Sequence, residues 1–251
     1  MKILIVLLAL LGGSTAGADW AAVSKPTVQS PQAHGFYSAG CLAGAEALPA
    51  AGPGYRVMRR SRNRYYGHPT LIRLVEALGR QAVEQGLAPI LVGDLSQPRG
   101  GPMSYGHSSH QIGLDVDIWF RPGPPGQTLT REQREHWELQ SAVDRQQWVV
   151  NHRFGPRERQ LLELAATTPG VERIFVNPAI KLALCQTVTG PRDWLARLRP
   201  WWGHDEHFHI RLACPDDSSG CRSQDPVPLG DGCDGALAWV EELRNPPKVT
   251  K

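Results

Sequence analysis

Two short segments, about 90 residues apart, contain five of the nine histidines of this chain and restrict how it can fold. The first is "GHSSHQIGLDVDIW" at 106–119, and the second is "HDEHFHIRL" at 204–212. Their histidines are His107, His110, His204, His207 and His209. This clustering predicts a fold that brings the two segments together around one site.

Both segments alternate between apolar and polar residues, as half-buried strands do. In "LDVDIWF" the apolar face is Leu114, Val116 and Ile118, and the other face is Asp115, Asp117 and Trp119. In "HFHIRL" the apolar face is Phe208, Ile210 and Leu212, and the other face is His207, His209 and Arg211. Two neighbouring antiparallel strands would therefore present acids and histidines to the same space.

Imidazole and carboxylate side chains that converge in this way are typical zinc ligands. His110, Asp117 and one histidine of "HFH" would make a set of three, which leaves a fourth position open. An open position is typical of a catalytic Zn²⁺ site rather than a structural one. Each part also has an ordinary interpretation: Asp115 as a solvated carboxylate, "HDEHFH" as a surface tract that merely collects metal.

The first residues predict export of the chain. "MKILIVLLALLGGSTAGAD" has a lysine, a short apolar run and small residues up to Ala18, which fits a secretory signal peptide at 1–18. We expect a soluble mature protein at 19–251, folded as one domain, in an oxidising compartment and without a membrane span. The net charge of +3 is too small to indicate a nucleic-acid partner.

Five cysteines in an exported chain indicate two disulfides and one leftover thiol, although sequence alone does not decide the pairing. The simplest pairing closes a small polar loop with Cys214 and Cys221. Cys185 and Cys233 would then join a helix to the C-terminal region, and Cys41 would remain unpaired.

Hydrophobic periodicity predicts an α+β fold, with a central antiparallel β-sheet surrounded by helices and long loops. The predicted helices are 68–86, 129–148, 156–170, 178–185 and 192–199, and the predicted strands are 89–96, 114–120, 171–177 and 207–212. The glycine-rich loop "QPRGGPMSYG" precedes the first histidine segment. Tyr105, Trp201 and Trp202 flank the two segments and are candidates to line a substrate groove.

The histidine segments resemble those of the penicillin-insensitive murein endopeptidases, which belong to the LAS-type zinc metallopeptidases. The shared signature is a histidine, an aspartate seven residues later and a distant histidine-x-histidine. The likeness extends through "CLAGAEALP", "RYYGHP", "VGDLS", "RIFVNPAIK", "RDWLARLRPWW" and "GDGC". It implies the LAS-type fold and a periplasmic zinc enzyme that cuts D-alanyl to meso-diaminopimelyl cross-links between the stem peptides of peptidoglycan.

The resemblance also implies site residues. The metal ligands would be His110, Asp117 and His209, with His107 as an additional ligand. His204 and His207 match the remaining active-site histidines, and association as a homodimer is implied as well. A second zinc site of the family is not matched cleanly in "SAVDRQQWVVNH", where Asp144 is the one candidate ligand.

Chemical reasoning favours His207 as the general base, because it shares a strand face with His209. His204 would donate to the oxyanion or to the leaving amine. Glu206 is the competing base, but it stands three residues before His209 and so on the opposite face of a regular strand. Asp115 is a candidate to orient an imidazole.

Other functions fit the same residues. A zinc D,D- or L,D-carboxypeptidase would need a cation, Arg211 for instance, to hold a free carboxylate. A non-catalytic peptidoglycan-binding module with a structural metal would have a closed four-ligand site and no use for His204 or His207. A secreted module that only scavenges metal is the remaining alternative.

Overall fold

The structure is a computed structural model that describes residues 19–124 and 127–246. The signal peptide predicted at 1–18 lies outside the described residues. The helices are α1 (Pro69–Glu84), α2 (Arg131–His136), α3 (Pro156–Thr167), α4 (Pro178–Thr187) and α5 (Cys233–Arg244), with 3₁₀ turns at Trp20–Ala22, Arg60–Arg62 and Asp193–Arg197. In the described part of the chain, no helix is long and apolar enough to cross a membrane.

Thirteen strands lie in the described ranges, many of them short. They are β1 (Gln32–Phe36), β2 (Ala39–Ala43), β3 (Glu46–Ala47), β4 (Ala51–Gly52), β5 (Tyr55–Val57), β6 (Tyr66–Gly67), β7 (Ile90–Val92), β8 (Asp115–Trp119), β9 (Val143–Asp144), β10 (Val149–Val150), β11 (Val171–Val176), β12 (Leu198–Pro200) and β13 (His207–Leu212).

A seven-stranded sheet in the order β12-β11-β13-β8-β7-β5-β4 forms the centre of the fold. Its middle strands, β11, β13, β8 and β7, pair antiparallel, which agrees with the predicted central sheet. Towards the edges, β11 pairs with β12 and β5 pairs with β7 in parallel. Both parallel pairs are joined through helices, α4 in one case and α1 in the other, as parallel neighbours require. The α+β class is confirmed, and the sheet is mixed.

The register between β8 and β13 decides which polar residues meet. Asp117 lies opposite His209, and Asp115 lies opposite Arg211. The alternate residues Val116, Ile118, Phe208 and Ile210 are completely buried on the other face, within the main hydrophobic core. Burial of that apolar face holds the register, because a slip of one residue would turn these side chains away from the core.

Helix α1 shows how the local sequence builds the layer over the sheet. His68 caps its N-terminus by accepting a hydrogen bond from Thr70 N, and Pro69 occupies the first turn. Leu71, Val75 and Leu78 are buried along one face, as the predicted spacing requires.

Two of the helix predictions were wrong in extent. Of 129–148 only Arg131–His136 is helical, and the hairpin of β9 and β10 follows. The Thr130 capping box starts the helix, but without an apolar stripe there is no tertiary contact to extend it. Likewise 192–199 forms a 3₁₀ turn and then β12, because Leu198–Pro200 pairs with the edge of the sheet.

Two disulfides join parts of the described chain. Cys185–Cys233 links α4 to the first residue of α5, and Cys214–Cys221 closes the loop after β13. Cys41 forms no disulfide and is partly exposed.

Candidate metal centre

The two histidine segments meet at the carboxylate of Asp117. One ligand atom each from His107, His110 and Asp117 lie within 4.8 Å of one another. His110 Nε2 is 3.4 Å from Asp117 Oδ1, and His107 Nε2 is 3.5 Å from Asp117 Oδ2. Strand β13 contributes from the other side, where His209 Nδ1 and His207 Nε2 are each 3.7 Å from Asp117 Oδ1.

Hydrogen bonds to the far sides of the rings decide which nitrogen faces the centre. His110 Nδ1 lies 2.9 Å from Leu95 O. A carbonyl oxygen only accepts, so Nδ1 carries the proton and Nε2 presents a lone pair. His209 Nε2 lies 2.6 Å from Asp115 Oδ1, which leaves the lone pair of His209 on Nδ1. In their neutral forms, both rings therefore direct an unprotonated nitrogen at Asp117.

This arrangement places the lone pair of a ring nitrogen against a carboxylate oxygen, and both atoms are hydrogen-bond acceptors. His110 Nε2 and Asp117 Oδ1 are buried and have no hydrogen-bond partner within the described ranges. Buried polar atoms without partners are costly, and a cation bound between them would satisfy both. Two imidazole nitrogens and a carboxylate oxygen are a donor set that Zn²⁺ accepts, so the residues fit a metal ion.

The protonation states are compatible with ligation. Burial, together with the charge of His110, lowers the pKa of His209 to about 3, so the ring is neutral near pH 7. Burial also lowers the pKa of His110, but the carboxylate of Asp117 outweighs it and the net shift is upward. The carboxylate of Asp117 thus favours positive charge beside His110 Nε2, where a metal cation would bind.

Asp115 forms a hydrogen bond with His209 and is itself paired with Arg211. Asp115 is completely buried, and its Oδ1 accepts from both His209 Nε2 and Arg211 Nε, each at 2.6 Å. Burial opposes ionisation of Asp115, but the charges of Arg211 and His209 hold its pKa well below the ordinary value. The Arg211 guanidinium also stacks 4.2 Å from the centre of the Tyr37 ring. Arg211 is thus buried and occupied, and it is not available to hold the free carboxylate that a carboxypeptidase must bind.

Asp94, which follows β7, is a member of the site that the sequence analysis missed. Its Oδ2 accepts from His107 Nε2 at 3.1 Å, Arg64 Nη1 at 2.9 Å and Arg62 Nη1 at 3.0 Å. Burial opposes ionisation, but the hydrogen bond from His107 and the charge of Arg62 lower the pKa of Asp94. The only available signal was an acid at the end of a buried strand in "VGDLS", since Arg64 and His107 are distant in sequence.

His204 stands at the rim of the centre. Its Nδ1 is 2.7 Å from Trp202 O, so Nδ1 donates and Nε2 is an acceptor in the neutral ring. Burial and the nearby charge of His207 lower the pKa of His204 to about 4. The His204 and His207 rings are 5.1 Å apart. Like His110 (φ 65°), His204 has a left-handed backbone (φ 51°), which costs about 1–3 kcal/mol and is common at functional sites.

Glu206, the competing candidate for the general base, is part of the wall of a surface cavity. It lines a surface cavity of about 540 Å³ together with Ser141, Asp144 and Arg145. The wall is fixed by Asp205, which is buried and accepts two hydrogen bonds of 2.9 Å from the Arg145 guanidinium. His207, by contrast, points its Nε2 towards Asp117.

Comparison with known proteins agrees with this geometry. The family model described as penicillin-insensitive murein endopeptidase matches residues 33–251. The chain belongs to this family. Members named penicillin-insensitive murein endopeptidase include one from Haemophilus influenzae, 45% identical over 246 residues that cover 93% of this chain and 82% of the relative. Members from Klebsiella pneumoniae and Escherichia coli O1:K1 are each 42% identical, over 97% and 98% of this chain and 88% and 89% of the relatives.

Proposed function

We propose that this member of the murein endopeptidase family is a zinc-dependent peptidoglycan endopeptidase that hydrolyses D-alanyl to meso-diaminopimelyl amide cross-links. Family membership supports the reaction. The observation that carries the metal dependence is the pair of buried, unpartnered atoms His110 Nε2 and Asp117 Oδ1, with the unprotonated nitrogen of His209 beside them.

We assign His110, Asp117 and His209 as the zinc ligands, with His107 as an additional ligand. Asp94 accepts a hydrogen bond from His107 Nε2, which is also the nitrogen that faces Asp117, so ligation through Nε2 would replace this hydrogen bond. Asp115 would hold His209 by accepting a hydrogen bond from its Nε2, the ring nitrogen that faces away from the centre. Carboxylates in this position orient ligand imidazoles and strengthen metal binding. When bound, Zn²⁺ supplies Lewis acidity, which lowers the pKa of water towards about 7 and polarises the scissile carbonyl.

His207 is the proposed general base. Its Nε2 lies at the centre, 3.7 Å from Asp117 Oδ1, and its side chain remains partly exposed to incoming substrate. It would take a proton from the attacking water and return it to the leaving amine. Glu206 has a weaker claim, because its side chain lines the cavity of Ser141 and Arg145, whereas the His207 ring lies against Asp117.

The contact of His204 Nδ1 with Trp202 O supports a role for His204 other than the donor role expected from the sequence. A donor to the oxyanion needs a proton on Nε2, but the neutral ring carries its proton on Nδ1, against Trp202 O. The low pKa of His204 favours this neutral ring at pH 7. We therefore propose that His204 Nε2 accepts a hydrogen bond from the attacking water or from a substrate N–H.

The proposal extends to the form of the protein in the cell. Residues 1–18 would be removed as a signal peptide, and 19–251 would act in the periplasm as one catalytic domain and as a homodimer. The two disulfides support an oxidising compartment. N-terminal sequencing of the periplasmic protein and light scattering test the processing site and the dimer.

The decisive experiment treats cross-linked muropeptide dimers with the purified mature protein and reads the products by mass. Conversion of dimers to monomers is expected, abolished by a chelator and restored by Zn²⁺. His209→Ala should be inactive, whereas His152→Ala, which changes an exposed histidine outside the site, should retain activity. Intact dimers despite bound zinc would refute the proposal, and release of single D-alanine residues alone would indicate a carboxypeptidase.

A further inference from the structure

Two adjacent tryptophans lie exposed beside the metal centre. Trp201 and Trp202 follow β12 and are 54% and 57% exposed. Trp202 packs edge-to-face against Trp239 of α5, with ring centroids 5.4 Å apart and an interplanar angle of 78°. We call these three residues the indole platform. Trp201 is adjacent to Trp202 along the chain, and large exposed aromatic side chains grouped in this way are typical of binding surfaces.

Hydrogen bonds fix the backbone on both sides of Trp201 and Trp202. Trp201 N donates to Val176 O at 2.9 Å, which extends the pairing of β11 with β12. Just beyond the tryptophans, Asn177 N donates to His204 O and Asn177 Nδ2 donates to Gly203 O, both at 2.9 Å. Since the segment is fixed at both ends, the exposure of the indoles is a property of the folded state.

The indole platform is continuous with the site. Trp202 O accepts the hydrogen bond from His204 Nδ1. The Trp201 ring packs against Phe175, with centroids 5.9 Å apart, and the Phe175 ring in turn lies 5.1 Å from that of His209. A substrate that is bound at the metal centre and extends towards β12 would therefore pass the indoles.

We propose that the indole platform binds sugar rings of the peptidoglycan glycan strand while a stem peptide occupies the metal centre. This inference rests on the proposed function. Pyranose rings present flat C–H faces that stack on indoles, whereas the D-alanyl and diaminopimelyl groups at the cross-link offer no such face. Trp202 and His204 are two residues apart, within about 7.6 Å between Cα atoms, and a four-residue stem spans up to about 14 Å. The glycan at its far end can therefore reach the indole platform.

The size of the surface favours sugar over a second protein copy. An indole buries at most about 250 Å² of surface. The half-exposed rings of Trp201 and Trp202 therefore offer roughly 250 Å² of contact area together. A stable protein interface needs about 800 Å² from each partner. The area does suit one or two sugar rings.

The test compares two substrates with the same cross-linked tetrapeptides, one bearing its disaccharides and one without sugars. For the wild-type protein we expect a kcat/KM about tenfold higher on the sugar-bearing dimer, mainly through a lower KM. In Trp201→Ala/Trp202→Ala the ratio of the two kcat/KM values should fall towards one. Trp202→Phe should retain part of the preference, and Leu237→Ala, an exposed apolar side chain of α5, should retain all of it.

A binding measurement separates this inference from the proposed function. An N-acetylglucosamine tetramer, titrated by calorimetry into metal-free protein, should bind to the wild type and not to the double variant. Such binding would support the indole platform even if neither dimer were cleaved, an outcome that would refute only the proposed function. An unchanged kcat/KM ratio in a folded double variant, or a wild type that binds no tetramer, would overturn the inference. A double variant that becomes monomeric while keeping its sugar preference would assign the indoles to contacts between copies.

Discussion

Replacing Asp115 by asparagine removes the negative charge next to His209 and keeps the shape of the side chain. Asp115 is completely buried, and its Oδ1 accepts from His209 Nε2 and Arg211 Nε at 2.6 Å. An asparagine oxygen can still accept both hydrogen bonds, but Arg211 is then a buried cation without a counter-charge. The variant therefore isolates the charge of Asp115 from its geometry.

Two magnitudes follow from these contacts. Loss of one partner of a buried ion pair lowers the free energy of unfolding by about 3–5 kcal/mol. Because the hydrogen bonds remain in Asp115→Asn, we expect a loss of about 3 kcal/mol for this variant. Loss of the carboxylate behind a ligand imidazole typically lowers metal affinity about 10–100-fold. Urea unfolding of metal-free protein measures the first effect, because bound metal would itself add stability. Competition with a zinc chelator measures the second.

A second substitution separates the two effects. In Asp115→Asn/Arg211→Met no buried charge is left unpaired, so part of the lost stability should return. Zinc affinity should stay low, because His209 still lacks its carboxylate partner. Zinc affinity of the single variant within threefold of the wild type would refute the argument that Asp115 orients His209. A stability loss that Arg211→Met does not relieve would refute the role assigned to the unpaired charge.

Three further predictions concern other parts of the chain. Asp94→Asn should lower kcat/KM about tenfold or more in a cross-link cleavage assay, because His107 loses its charged partner; wild-type activity would contradict this. Cys185→Ser/Cys233→Ser should lower the free energy of unfolding by about 4 kcal/mol in a denaturant titration, since the disulfide spans 48 residues; a loss below 1 kcal/mol would argue against it. Burial lowers the pKa of Lys181 from 10.5 to about 8, so the unfolded state binds more protons than the folded state between these pH values. The free energy of unfolding should therefore rise by about 3 kcal/mol from pH 8 to 10.5. This rise should be absent in Lys181→Met.

The meeting of the two histidine segments could be predicted largely from local patterns. Strand alternation in the two histidine segments placed Asp117 and His209 on polar faces, and two strands with apolar faces towards one core have few ways to pair. The β8–β13 register then brings Asp117 opposite His209. The family resemblance supplied the reaction, and comparison with relatives confirmed the family.

The parts that sequence reasoning missed depend on contacts between distant residues. Asp94 meets Arg64 and His107 only after β7 is placed beside β8. The helix predicted at 129–148 stops at His136, because propensity without a buried face does not sustain a helix. The proton positions on His110 and His209 depend on Leu95 O and Asp115, which no spacing rule identifies.

The sequence by itself determined the class of fold, the candidate residues for a metal site and the family, because alternation and residue type are local properties that the chain carries before folding. The tertiary structure decided which ring nitrogen faces the centre, that Arg211 is occupied, that Asp94 belongs to the site and that Trp201 and Trp202 remain exposed beside it. These outcomes depend on hydrogen bonds and burial between segments far apart in the chain, and such contacts exist only once the sheet has formed.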